Sequence, residues 1–296
     1  LRSSVRSSVA RRLGLDEAGL SDTATDHYTE GVVEMSLDAT QNYHLPVSDE
    51  RLFGWHAALF PTGRSGLRRI TVGSFRTDDV AIVSGAMGKE KIHYKAPDPK
   101  QVPDEMKAFV SWLEDPQDTD PYVKVAIAHL RFESIHPFDD GNGRIGRALA
   151  DLMLARAENS PKRYYSLSSQ LLAERNAYYH ELESASRYTS DANRWIAWFL
   201  GCLIRAMEAS EEKLEASIRK AAFFTRIRNI VLNERQTAML NRLIDGFEGK
   251  LTTVKWAALC KCSHDTALRD IDDLMKNGIL SRSAESGRST SYELNP

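Results

Sequence analysis

The stretch "ESIHPFDDGNGRIGR", residues 133 to 147, limits what this chain can fold into more than any other feature. Apolar Ala126, Ile127, Leu130 and Ile135 precede it, and Ile145, Leu149, Leu152 and Met153 follow it at helical spacing. The stretch therefore reads as a helix, a glycine-rich turn and a second helix. Gly141 and Gly143 carry no Cβ, so backbone N–H groups there can converge on an anion, and Asn142 adds an amide that can fix the loop. The helix starting at Arg144 aims its positive N-terminus at the same spot, with Arg144 and Arg147 on one face of its first turn. Cationic side chains are unfavourable there on their own, so the pattern calls for an anionic partner. A polyphosphate with a divalent cation on Asp140 supplies one. His136 closes the first helix, where the macrodipole favours a protonated imidazole and is expected to strengthen it as a base. Asp139 reads as loop surface.

With 296 residues and 42% hydrophobic content, the chain can bury a large core and has room for one large domain and one small one. No apolar run approaches the roughly 18 residues that span a bilayer. Leu1 to Gly14 lacks the apolar region of a signal peptide, so a cytoplasmic location away from membranes is expected. Cys202, Cys260 and Cys262 make no even disulfide framework, and the C-x-C pair has no second ligand pair at zinc spacing. The formal net charge of −2 gives no bulk reason for polyanion binding.

Along the chain, Val5 to Leu13 and Thr29 to Tyr43 read as helices within an N-terminal region, 1–49. A helix follows from Ser48, its N-cap, with Leu52, Trp55 and Leu59 on one face. "RRITVGSFR", "VAIVSGAMG" and "KIHYKAP" alternate in the manner of short strands, including a hairpin near 70–97. From Asp104 to Met207 the pattern is helical, with "EMKAFVSWLE", "YVKVAIAHLRFESI", "RIGRALADLMLARA", "SQLLAERNAYYHELESA" and "NRWIAWFLGCLIRAM" as successive segments. Trp195 and Trp198 read as core, and His56, His93 and His129 as packing or surface residues. A charged linker helix over 208–232 then precedes a separate unit, 233–296. The fold class expected is mainly α: a helical bundle over 50–207 with a β-hairpin, followed by a small α+β domain.

The run from His136 to Arg147 resembles the Fic motif, H-x-F-x-[D/E]-G-N-G-R-x-x-R, at every specified position. The surrounding helices and the hairpin resemble a Fic-type bundle with its flap. Most characterised family members transfer AMP from ATP to a hydroxyl of a protein, so the resemblance implies an adenylyltransferase with ATP as co-substrate. Such chemistry needs a base on the attacking hydroxyl and cations on the departing pyrophosphate. In those terms His136 is the base and Asp140 holds Mg²⁺. Gly141 and Gly143 cradle the phosphates, Asn142 positions the α-phosphate, and Arg144 and Arg147 orient the β/γ end. The resemblance also implies an adenine wall at Tyr178 and Tyr179, although adjacent residues cannot share one helix face. A flap that pairs with the target's backbone is implied at Val80, Val83, Ile92 and Tyr94, because an exposed strand edge is suited to that.

The last 64 residues resemble a winged-helix module. From Gln236 to Pro296 eight Lys/Arg balance eight Asp/Glu, and the presumed recognition helix carries four aspartates, which repel phosphates. DNA binding through Arg269 and Arg288 therefore ranks below a protein contact or a homodimer. The expected partner is a protein with a Ser, Thr or Tyr acceptor, self-modification included. The alternatives are a winged-helix DNA-binding regulator with a nucleotide-sensing core, or an enzyme of this family that uses another nucleotide or removes AMP. Many relatives carry a restraining helix, [S/T]-x-x-x-E-[G/N], whose glutamate pairs with the second motif arginine. Glu30-Gly31 is the nearest candidate here, but Asp26 stands four before it and Thr25 is one position early. The chain begins at Leu1 without a methionine, so that helix is expected upstream, and Arg147 is expected to lack a glutamate partner within this chain.

Overall fold

The computed structural model describes residues 27–84, 91–116, 119–187, 192–283 and 290–295, and only the backbone of 27–28, 81–84, 91–93 and 186–187. The expected helix at Val5 to Leu13 and the side chains of Val83, Ile92 and His93 lie outside the described residues. The chain divides into two compact units at Glu208/Ala209.

The first unit is a helical bundle. Helix α1 (His27–Gln41) is followed by α2 (Asp49–Leu59). Ser48 caps α2 as expected, its hydroxyl accepting from the Arg51 N–H, and Leu52, Trp55 and Leu59 are buried. Arg51 and Trp55 both donate to the Asp38 carboxylate, at 2.8 and 2.7 Å, which ties α2 to α1. Two minimal strands follow, β1 (Arg64–Ser65) and β2 (Arg68–Arg69), and then the hairpin of β3 (Ala81–Ser84) and β4 (Lys91–Lys95). The hairpin is antiparallel, with Ile82 opposite Tyr94, Val83 opposite Ile92, and a register shift between Ile82 and Val83. "RRITVGSFR" is not a strand beyond Arg69. Residues 70–78 run as loop, and several of their backbone N–H groups are spent on the loop after His136 and its supports rather than on a ladder.

Helices α3 (Val102–Glu114), α4 (Pro121–Ile135) and α5 (Asn142–Glu158) form the centre of the unit. Pro121 occupies the first turn of α4, where its missing N–H costs nothing, and Asp120 accepts from the Tyr122 and Val123 N–H groups. Phe109, Phe132, Phe138, Trp195 and Phe199 are fully buried, each contributing roughly 1.5–3 kcal/mol of transfer free energy. The segment "SQLLAERNAYYHELESA" forms two helices, α6 (Leu167–Ala173) and α7 (Arg175–Arg187), because Glu174 leaves the helical conformation between them. Helix α8 runs unbroken over Asn193–Arg226, so the charged residues expected to begin a linker helix at 208 continue a helix already fifteen residues old.

The second unit holds α9 (Glu234–Ile244), α10 (Thr253–Cys260), α11 (His264–Lys276) and the antiparallel pair β5 (Leu280–Arg282) and β6 (Tyr292–Leu294). Each helix starts at a polar cap: Asn233 in a reciprocal capping box with Gln236, then Thr252, then Ser263. Trp256, Leu240, Ile271 and Leu274 fill its core. Arg288 lies outside the described residues.

Candidate active site

The α4–α5 junction is built from buried parts. Phe138 is fully buried and stacks on His56 at 4.3 Å between ring centroids. Asn142 is 2% exposed, and both ends of its amide are spent on the Phe138 backbone: Oδ1 accepts from the N–H at 2.9 Å and Nδ2 donates to the carbonyl at 2.7 Å. It locks the loop and is not presented to a ligand, which removes it as the residue that positions the α-phosphate. Gly141 has φ +90°, and a Cβ there would lie 2.9 Å from the Phe60 ring, so backbone strain and space both demand glycine.

His136 caps α4 in the left-handed region, at φ +50°. This unusual conformation is held by Arg76, which is 2% exposed. The Arg76 backbone N–H donates to the Pro137 carbonyl at 2.9 Å and its Nε donates to the His136 carbonyl at 2.8 Å. Its two remaining nitrogens donate to the carbonyls of Asp78 and Pro97. His136 Nδ1 lies 3.2 Å from the Glu133 carbonyl. A carbonyl only accepts, so Nδ1 carries the proton and Nε2 offers a lone pair, the tautomer a general base needs. Burial pushes this imidazole down to about 4, against the raising effect of the Glu133 hydrogen bond. The helix-end position was expected to favour the cation; burial outweighs the macrodipole and keeps the ring neutral.

Asp140 faces the first turn of α5. Its carboxylate accepts from the Gly141 N–H at 2.5 Å, from Arg144 at 3.2 Å and from the Ser65 hydroxyl of β1. Burial raises this carboxyl, but those three hydrogen bonds, Ser65 first, outweigh it and hold it below its ordinary value. The His56 Nε2–H donates to the Asp140 carbonyl at 3.1 Å, a tautomer fixed by Nδ1 accepting from the Gly73 N–H. The Arg144 guanidinium lies 4.7 Å above the Phe60 ring. Asp139 is half-buried rather than plain loop surface: one carboxylate oxygen accepts from the Thr71 N–H at 2.9 Å, and the other is buried without a partner among the described residues. Arg147 Nη1 would lie 3.2 Å from a Cβ at Gly143, so it reaches the N-terminal turn of α5 as expected.

Among the described residues Arg147 forms no ion pair with a glutamate, but one buried glutamate that the sequence reading passed over acts on it through space. Glu133, one turn before His136, is 4% exposed, and its carboxyl is pushed up to about 7 by burial, with Arg147 pulling the other way. The signal was present in the sequence: Glu133 follows His129 by four residues on the apolar face of α4. Arg76, Ser65 and His56, far away in sequence, left no such signal.

Tyr178 is not part of an adenine wall. It is 6% exposed, and its hydroxyl donates to His129 Nε2 at 3.0 Å while His129 Nδ1 donates to the Gly146 carbonyl. Tyr179, on the other face of α7, is 48% exposed beneath Arg175. A cavity of about 400 Å³ lies beside the last turn of α4, bordered by Tyr94, Pro97, Arg131, Ser134, Ile135 and Ala185. Tyr94 serves as an anchor, its hydroxyl donating to the Ser134 carbonyl at 2.9 Å. Val80 lies outside the strand, its carbonyl accepting from the Ala96 N–H.

The Fic/DOC family model matches residues 46–154, which contain this entire junction. A probable protein adenylyltransferase of Aquifex aeolicus is 43% identical over 61 residues, 21% of this chain and 19% of its own length. The protein adenylyltransferase Fic of Nematostella vectensis is 33% identical over 115 residues, 38% of this chain and 25% of its own. The chain thus spans a quarter or less of the curated relatives it matches. The crystal structure of a Fic family protein from Desulfovibrio desulfuricans superposes with a TM-score of 0.51 at 21% identity, covering 99% of this chain and 84% of that one, a likeness of fold. Residues 46–154 of this chain are therefore a domain of the Fic/DOC family.

Proposed function

We propose that the chain is a protein adenylyltransferase that moves AMP from ATP to a Ser, Thr or Tyr hydroxyl of a protein. One observation carries the reading: His136 is neutral, its Nδ1 proton is committed to the Glu133 carbonyl, and Nε2 offers a lone pair beside an anion cradle. An anion sensor has no need of a base held in one tautomer. The printed names of the relatives support the same reading.

The acceptor oxygen bonds to Pα as the bond from Pα to the bridging oxygen breaks. His136 Nε2 takes the hydroxyl proton, and pyrophosphate leaves with the bonding pair. Negative charge grows on that leaving group, where the N–H groups of Gly143 and its neighbours, Arg144 and Arg147 provide opposite charge. Asp140 fits Mg²⁺: it is a depressed, half-exposed carboxylate, and a magnesium ion that keeps waters and phosphate oxygens needs only one or two such groups. When bound, the ion supplies charge neutralisation on the phosphates. The cavity between Tyr94 and Ala185 is the proposed seat of the base, and the β3–β4 hairpin is the proposed docking edge for the target.

The second unit is read as a winged-helix module that contacts protein, a second copy included. A cytoplasmic location is part of the same reading; among the described residues no helix is long and apolar enough to cross a membrane. One observation favours DNA as a second reading for this unit. Of the four α11 aspartates, Asp270 is buried and paired with Arg235 at 2.7 Å, which leaves Asp265, Asp272 and Asp273 to repel phosphates. A fluorescence anisotropy titration across salt concentrations decides it. For the main reading, the chain is incubated with labelled ATP and Mg²⁺, alone and with a lysate, and the adducts are found by mass spectrometry. Label on protein that disappears in His136→Ala is expected; equal label in that variant overturns the mechanism.

A further inference from the structure

Glu133 plays no part in the chemistry above, yet it is a buried carboxyl beside the cradle. Its side chain projects from α4 into the seam with α5, where Gly146 makes room for it: a Cβ at Gly146 would sit 2.6 Å from Glu133 Oε1. The same oxygen is 3.8 Å from where a Cβ of Gly143 would be, in the first turn of α5. It is buried and has no hydrogen-bond partner among the described residues. A buried carboxyl with an unpartnered oxygen is costly unless a neighbour or a ligand uses it.

The surrounding groups define that use. Arg147 of α5 is the cation that acts on Glu133. From α7, Tyr178 feels the Glu133 charge, and its hydroxyl is committed to neutral His129, one turn earlier on α4. Asp151, one turn after Arg147, is the other carboxyl within its field, but it is paired with Arg163 at 2.5 Å. Arg147 itself forms no hydrogen bond or ion pair among the described residues, so the charge facing Glu133 is the same one that faces the phosphate cradle.

We propose that Glu133 is a positioning residue for Arg147, a buried carboxyl that takes up one proton from solvent when a polyphosphate settles on Arg147 and the first turn of α5. The inference rests on the transferase reading for the identity of the anion. While the cradle is empty, the carboxylate offsets Arg147 and holds its guanidinium at the helix N-terminus. An arriving polyphosphate competes for the same cation and places like charge beside the carboxylate, and protonation relieves the repulsion. The proton returns to solvent when pyrophosphate departs, so no net proton is consumed at Glu133 per turnover.

The test is calorimetric titration of ATP and, separately, inorganic pyrophosphate into the full chain and into Glu133→Gln. Measurements run from pH 6 to 8 in two buffers of different ionisation enthalpy, which counts the protons taken up. The ligand's own protons cancel between the two proteins. The wild-type chain is expected to take up close to one proton more than the variant near pH 8. From pH 6 to pH 8 it should lose about tenfold in affinity relative to the variant, the factor for one group that must be protonated first. Equal proton counts in the two proteins overturn the role of Glu133. Should the variant fail to fold, infrared difference spectra of the wild-type chain with isotope-labelled glutamate replace it. A protonated-carboxyl band that rises on ligand addition at pH 8 supports the proposal, and its absence overturns it. Pyrophosphate binding without ATP binding would count against the adenylyltransferase reading alone.

Discussion

Replacing Arg76 with lysine tests whether the geometry of His136 is imposed from outside the motif. The guanidinium makes three hydrogen bonds to carbonyl oxygens, those of His136, Asp78 and Pro97, at 2.8, 2.9 and 2.7 Å. An ammonium keeps the charge but is a single nitrogen, and those carbonyls were set for a planar fork. At most one bond survives. Two buried carbonyls then lose a charged donor, at about 1.5 kcal/mol each or somewhat more, so Arg76→Lys should destabilise the first unit by about 3 kcal/mol. Guanidinium denaturation followed by tryptophan fluorescence reads this directly, because Trp55, Trp112, Trp195 and Trp198 all lie in that unit. The same variant, assayed under native conditions, should lose roughly tenfold to a hundredfold in kcat, since a left-handed His136 without its carbonyl anchor no longer holds Nε2 in place. A loss of stability below about 1 kcal/mol, or an effect confined to KM, would refute the assignment of Arg76 as the clamp.

Because burial holds His136 down to about 4, kcat at saturating ATP should stay flat from pH 8 to pH 6, and an inflection near 6.5 would contradict the neutral buried base. Gly141→Ala should cost about 2 kcal/mol of backbone strain and also disturb phosphate binding, because the Phe60 ring it would strike underlies Arg144. Phe60→Leu in the same background should recover the binding but not the strain, read by calorimetry and denaturation. Asp270→Ala should destabilise the second unit, because it removes a buried carboxylate acceptor from Arg235 and Asn233; an unchanged melting transition would show that the network is ornamental. Deleting the residues after Val231 should leave self-modification intact, and a folded but inactive truncation would place part of the chemistry in the second unit.

The helical skeleton was legible because its signals are local. Apolar spacing, Ser48 as a cap and the glycines between α4 and α5 each act within a turn or two of the residues they specify. The same holds for the motif residues that gather at the junction, since one loop and one helix turn carry them all. What escaped was carried by long-range contacts. Arg76 lies sixty positions from the His136 carbonyl it supports, and Ser65 seventy-five from Asp140. Nothing in their own neighbourhoods distinguishes them from surface residues. The protonation state of His136 escaped for a related reason: the macrodipole can be read from position on a helix, but burial is a property of everything packed around it. Charge counting failed similarly on α11, where the sequence shows four aspartates and the fold buries one of them against Arg235.

His56, His129 and His136 together have a bearing on how the protein can be handled. All three imidazoles have their proton affinity depressed, chiefly by burial, and in the unfolded chain all three would regain it. A group whose folded value is depressed stabilises above its unfolded value, near 6.5, and loses that contribution as the pH falls toward the folded one. His129 and His136, both held down to about 4, each remove up to about 1.4 kcal/mol for every pH unit below 6.5, and His56 acts in the same direction. Glu133 acts in the opposite sense, since its raised carboxyl stabilises most at low pH and loses that contribution as the pH climbs toward 7. The rings outvote the carboxyl as the pH falls below 6, so mildly acidic elution buffers should destabilise the first unit, and neutral storage should preserve it.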